Sequence, residues 1–178
     1  MLLNAETSTL VLVDYQPRLL PALSGAERAV SQAVRLAQLA QLADVPILAT
    51  EHYPAKLGET TPPLRPLCQQ IVTKQSFDAC ADGLLEALPG QRDDIVIAGC
   101  ETHVCMLQTA MGVLAGGYRA WIVTDACASR RPEDHALALG RLKAAGATLI
   151  SAEMAGFEWL RHGDHPAFRE ALALIRPL

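Results

Sequence analysis

Three residues stand out by type and placement: Cys105, Asp14 and Lys74. Cys105 ends the string Gly99-Cys100-Glu101-Thr102-His103-Val104-Cys105, which leads from an apolar run into a stretch with helical spacing. A thiol in the first turn of a helix sees the positive end of the helix dipole and unpaired backbone N–H groups. Both favour thiolate, the nucleophilic form, and the same N–H groups can hold a developing oxyanion. Asp14 follows the apolar run 10–13, where a carboxylate is costly without a partner or a task. As a general base it would take the thiol proton. Lys74, at the end of another run, would favour both anions and polarise a bound carbonyl. Each residue also has a plain structural alternative: a small packed cysteine, a turn aspartate ahead of Gln16-Pro17, a solvated lysine. Nucleophile, carboxylate and cation at three run ends form a constellation that none of them implies alone.

The elements that must position them follow from periodicity. Short β-rich runs at 8–13, 45–49, 70–73, 94–98, 120–124 and 148–151 read as strands. Between most of them lie helical patterns at 26–43, 78–88, 103–115, 132–145 and 166–175. The first is the clearest, with Ala29, Ala33, Leu36, Ala37, Ala40 and Ala43 on one stripe. Pro132 and Pro166 suit first helical turns, and Gly116-Gly117 and Gly146 suit helix ends. Runs such as 10–13 and 95–98 are continuously apolar, which marks strands covered on both faces. Strands alternating with helices predict a doubly wound α/β fold: a three-layer sandwich with a parallel sheet between two helical layers. In such folds ligands bind at the carboxyl ends of the strands, where Asp14, Lys74 and the 99–105 string all fall. The segment 52–68 carries four prolines (54, 62, 63, 66), which preclude a regular helix and predict a long functional loop.

Composition narrows the classes. A chain of 178 residues buries about 70% of its unfolded surface and folds without disulfides or structural metal. We read 1–178 as one domain. It is 51% hydrophobic but only 4% aromatic, so the core is aliphatic. With 2 Trp, 3 Tyr and 3 Phe, few rings are available to line a pocket, and recognition is expected to rest on backbone groups, the long loop and a neighbouring chain. A net charge of −4 speaks against nucleic-acid or anionic-membrane binding. The five cysteines, an odd number without a CxxC pair, predict reduced thiols in a cytoplasmic protein. The N-terminus shows no signal-peptide pattern, and no apolar run approaches the ~20 residues needed to span a bilayer. The five histidines form no HxH or HExxH motif, and Glu51-His52 supplies too few ligands for a site, so no metal and no cofactor are expected. No glycine-rich phosphate loop follows the first strand.

These pieces together resemble the isochorismatase-like cysteine hydrolases, which include nicotinamidases and N-carbamoylsarcosine amidase. The matching strings are Leu10-Val11-Leu12-Val13-Asp14-Tyr15-Gln16, Thr73-Lys74-Gln75-Ser76-Phe77-Asp78 and Gly99-Cys100-Glu101-Thr102-His103-Val104-Cys105. Further strings, Thr50-Glu51-His52-Tyr53-Pro54, Leu57-Gly58-Glu59-Thr60, Asp125-Ala126-Cys127 and His165-Pro166-Ala167-Phe168, are similar to the isochorismatase-domain-containing branch. The resemblance implies a six-stranded parallel sheet of order 3-2-1-4-5-6, the catalytic set Asp14, Lys74 and Cys105, and a cis peptide at Cys100–Glu101. It also implies an oxyanion hole from the backbone N–H groups of Glu101 and Cys105, and self-association into a homo-oligomer. Metal-dependent nicotinamidases carry an Asp-x-His motif after strand two that is not found here, and strict isochorismatases lack the cysteine. The expected activity is hydrolysis of a small amide or related C–N bond through a thioester. Tyr15, His52 and Tyr53 are expected to contact substrate. Two rivals remain: a non-catalytic scaffold of the same fold, and a redox protein pairing Cys100 with Cys105.

Overall fold

The computed structural model describes residues 1–176. Six parallel strands form one sheet in the order β3-β2-β1-β4-β5-β6. They are β1 (Ser8–Val13), β2 (Ile47–His52), β3 (Gln70–Lys74), β4 (Asp94–Gly99), β5 (Arg119–Val123) and β6 (Thr148–Ile150). Every residue of β1 and of β4 is buried, as the continuous apolar runs require of strands covered on both faces. Helices α1 (Ala26–Leu42), α6 (Ala152–Leu160) and α7 (Phe168–Ile175) pack together on one side, and α4 (Leu107–Ala115) with α5 (Pro132–Ala144) on the other. The parallel six-stranded α/β architecture is therefore the one expected.

The order reverses between β1 and β4, so their carboxyl ends diverge into a crevice. Val13 pairs with Gly99 across this junction. A Cβ on Gly99 would stand 2.4 Å from the Val13 carbonyl oxygen, so only glycine lets the two strands close up here. That contact sets Asp14 beside the turn that leaves β4. At the opposite, amino end of the sheet, Asp94 accepts hydrogen bonds from Arg119 Nε (2.7 Å), Arg119 Nη2 (2.9 Å) and Trp121 Nε1 (2.8 Å). Burial pushes the Asp94 carboxyl up, but these donors outweigh it and hold it below the usual carboxylate range.

Several elements differ from the sequence expectation. β2 runs from Ile47 to His52, ending three residues later than periodicity suggested, so Thr50, Glu51 and His52 are strand residues. The helix expected at 78–88 is two short pieces, a 3-10 turn at Ala79–Asp82 and α3 (Leu84–Ala87). Gly83 separates them in a left-handed conformation, φ +94°, that a continuous helix does not contain. The proline-rich segment holds one helical turn after all, α2 (Pro54–Leu57), with Pro54 at its first position. α6 was not anticipated, although Ala152, Ala155, Gly156, Trp159 and Leu160 form a buried stripe. Ser151 caps it, accepting the Met154 N–H at 3.2 Å, and Gly156 lets it press against Leu39 of α1. Pro166 lies just before α7, whose first residue is Phe168.

Candidate active site

Asp14 is the first residue past β1 and takes a left-handed φ of 54°. Its carboxylate is fully buried. Oδ1 accepts the Thr50 hydroxyl at 2.6 Å, and Oδ2 pairs with Lys74 Nζ at 2.8 Å. Lys74 ends β3 and reaches past β2 to make this pair, and Nζ also donates to the Ser76 carbonyl at 3.1 Å. Neither side chain has any solvent exposure. A lone buried carboxylate would be costly, and the ion pair with a hydroxyl donor on one side and a carbonyl acceptor on the other resolves that cost.

Cys105 sits in a π-helical turn, Thr102–Met106, that feeds directly into α4. Only 6% of it is exposed. The Asp14 carboxylate and the Lys74 ammonium are the charged groups that bear on its thiol. Burial pushes the thiol up to about 12; the Asp14 charge adds to this, and Lys74 pulls the other way. Burial thus favours the thiol form of Cys105, against the thiolate that position at a helix start favours. Desolvation outweighs the helix end here because the turn is packed inside the crevice.

The peptide bond between Cys100 and Glu101 is cis. Between residues 100 and 106, the amides of Cys100, Thr102, Val104 and Met106 donate to backbone carbonyls at 2.9, 2.9, 3.0 and 3.2 Å. The Glu101 and His103 amides have no such partner among the described residues, and the Cys105 amide has none outside its own helical turn. Unpaired donors at a helix start are the usual seat of an anion. The Glu101 carboxylate turns away from the crevice and accepts from Arg130 N and Nε, each at 3.0 Å.

His52 and Tyr53 lie at the end of β2, and His52 pairs in register with Lys74. The His52 ring contacts Tyr53 edge-on, with centroids 4.9 Å apart, and Phe77 at 5.4 Å. Tyr53 and Phe77 are partly exposed, so the three rings form the rim above the buried ion pair. Burial and the nearby Lys74 charge lower the His52 pKa, leaving it neutral at pH 7. Of the few rings in the chain, these three converge here. Tyr15 does not sit where a substrate contact was expected. It is fully buried, its hydroxyl donates to the Ala126 carbonyl, and it packs beside Cys100 and Cys127 as a core residue. Cys100 and Cys105 are both free, buried thiols.

A model of the isochorismatase domain matches residues 8–154. The chain is 36% identical over 173 residues to mouse isochorismatase domain-containing protein 2A, covering 96% of this chain and 84% of that one. The chain belongs to the isochorismatase family. This isochorismatase-family hydrolase also superposes on a Caenorhabditis elegans structure described as MAR1 ribonuclease, with TM-score 0.93 and 29% identity over 98% of this chain and 92% of that one. The fold is shared with Pseudomonas aeruginosa YcaC, at TM-score 0.91 and 24% identity over 99% and 92% of the two chains.

Several groups in this isochorismatase domain escaped sequence reasoning. Thr50 and Ser76 hold the buried ion pair, and Gln16 bridges the rim to the long loop. Its amide donates to the carbonyls of His52 (3.0 Å) and Gly58 (2.6 Å) and its oxygen accepts the His52 N–H (2.9 Å). Glu51 anchors the same loop, accepting the Thr60 N–H at 2.7 Å and pairing with Arg65. No group of three or more His, Cys, Asp or Glu side chains placed to hold a metal ion occurs among the described residues. A groove of about 840 Å3 lies apart from the site along α1, between Leu20, Val30, Val34, Pro63 and Leu174.

Proposed function

We propose that this chain, acting over 1–178 as one domain, is a cysteine-dependent hydrolase of a small amide or related C–N bond. The observation that carries the reading is the convergence of a thiol, a buried carboxylate–ammonium pair and the unpaired Glu101 amide in one crevice. Asp14 takes the proton from Cys105 as the sulfur attacks the carbonyl carbon. The thiol's high pKa means that this transfer accompanies attack rather than preceding it. The Glu101 and Cys105 N–H groups hold the oxyanion. Protonated Asp14 then passes its proton to the departing nitrogen, leaving a thioester. Water, deprotonated by Asp14, attacks the thioester, and the acid leaves as the thiol re-forms. Lys74 keeps Asp14 aimed between these steps.

The rim of His52, Tyr53 and Phe77 supports substrate entry from the β2–β3 side. A net charge of −4 favours a small neutral substrate over a polyanion such as RNA. The apolar groove along α1 supports self-association into a homo-oligomer; Escherichia coli YcaC, which shares the fold at 22% identity, is described as an octameric hydrolase. Among the described residues no helix is long and apolar enough to cross a membrane. The reading is tested by screening small amides and ureides with wild type beside Cys105→Ala. Release of amine or ammonia by wild type alone supports it, and equal turnover by both proteins refutes it.

A further inference from the structure

Glu101, Thr102 and His103, which separate β4 from the nucleophile turn, are each gripped by a side chain from one short segment, residues 128–135. The Glu101 carboxylate accepts from Arg130 N and Nε at 3.0 Å each. Thr102 Oγ1 lies 2.9 Å from His135 Nδ1, and the Thr102 N–H donates to the Ala128 carbonyl at 2.9 Å. His103 Nδ1 lies 3.0 Å from Ser129 Oγ, with Asp134 Oδ2 3.9 Å from its other nitrogen. Thr102 and Ser129 are buried, so two of these contacts are sheltered from water. The gripping segment is itself tied down. Ala128 N–H donates to Gly99 at 3.4 Å, and Ser24 N–H donates to the Ser129 carbonyl at 3.0 Å.

The gripped residues include the unpaired Glu101 amide and lead directly to the Cys105 amide. The Glu101 amide has no backbone partner to fix its direction and the Cys105 amide has none outside its own turn, so the residues alongside must hold them. We infer that Arg130 and His135 are positioning residues that hold the Glu101 and Cys105 amides in line for the oxyanion. The inference rests on the proposed Cys105 chemistry. Displacing such donors costs rate only in steps that build charge on a carbonyl oxygen. Attack by the sulfur on a centre without a carbonyl is untouched.

Two probes separate these cases. With p-nitrophenyl acetate, the Cys105 sulfur forms a bond to the acyl carbon, p-nitrophenolate leaves and the thiol proton passes to Asp14, through an oxyanion. With methyl methanethiosulfonate, the same sulfur forms a disulfide and methanesulfinate leaves, with no oxyanion. Both rates are read at Cys105 by peptide mass, for wild type, Thr102→Val, Thr102→Ser, His135→Ala and Arg130→Ala. We expect Thr102→Val, His135→Ala and Arg130→Ala to slow acylation roughly ten- to a hundredfold and to leave disulfide formation unchanged. Thr102→Ser, which keeps the hydroxyl, restores acylation. Arg130 is largely exposed, so its variant folds and carries the test if a buried variant does not. Parallel loss of both rates, or loss of neither, overturns the clamp. A wild type that is not acylated at Cys105 refutes the nucleophile reading itself, and the clamp falls with it.

Discussion

Lys74 Nζ and Asp14 Oδ2 form a 2.8 Å ion pair from which water is fully excluded, at the carboxyl ends of β3 and β1. Breaking a buried pair from one side leaves an uncompensated charge, which costs about 3–5 kcal/mol. Asp14→Asn and Lys74→Met are each expected to destabilise by that order in urea unfolding. The double variant should recover part of the loss, because neither charge is then stranded. All three variants should lack hydrolysis. Additive losses in the double variant would show that the pair is not coupled.

The protonation state of Cys105 gives a kinetic signature. With its thiol pushed up to about 12, the thiolate fraction grows about tenfold per pH unit across neutrality. Modification of Cys105 by methyl methanethiosulfonate should therefore keep rising to pH 10. A plateau near pH 7 would mean a preformed thiolate.

The same displacement has a consequence for stability. Cys105, Cys80 and Cys127 are pushed from 9.0 to about 12 and Cys68 to about 11, in each case chiefly by burial. Between pH 9 and 12 the unfolded chain has released these protons while the folded chain retains them. The unfolded state then binds fewer protons, so stability falls as pH rises. The contribution is whole below about pH 9 and lost towards pH 12. Thermal scans should show Tm declining above pH 9, with a shallower slope in Cys80→Ser. An unchanged slope would dissociate the thiols from the alkaline transition.

Glu51 ties the long loop to the sheet through the Thr60 N–H and Arg65. Glu51→Ala strands a buried backbone donor, a loss of about 1–3 kcal/mol. Because the loop carries exposed Lys56, tryptic cleavage after that residue should accelerate in the variant while the β1–β4 core stays intact. Cleavage at the wild-type rate would remove Glu51 from the loop's anchorage.

What could be read in the sequence followed locality. β1 and β4 were legible because burial on both faces leaves a continuous apolar run, and Asp14 and Cys105 because each interrupts or follows such a run. α6 was hidden by its shortness and by Gly156, which looks like a breaker until Leu39 is seen packed where its Cβ would be. Thr50 meets Asp14 across 36 residues, His135 meets Thr102 across 33 and Arg130 meets Glu101 across 29. No spacing rule links such partners; only the strand order does. The thiol state of Cys105 was illegible for a different reason, since it turns on burial, which outweighs the helix start that the sequence displays.

The central claim is that Cys105 forms a covalent acyl intermediate, and trapping it is the most direct test. Wild type is mixed with p-nitrophenyl acetate, quenched in acid and mapped by peptide mass spectrometry. The account predicts one acetyl group on the peptide containing Cys105, formed in a burst, lost on a longer incubation, and not formed in Cys105→Ala. An unmodified Cys105 peptide, with p-nitrophenolate released equally fast by Cys105→Ala, would contradict it.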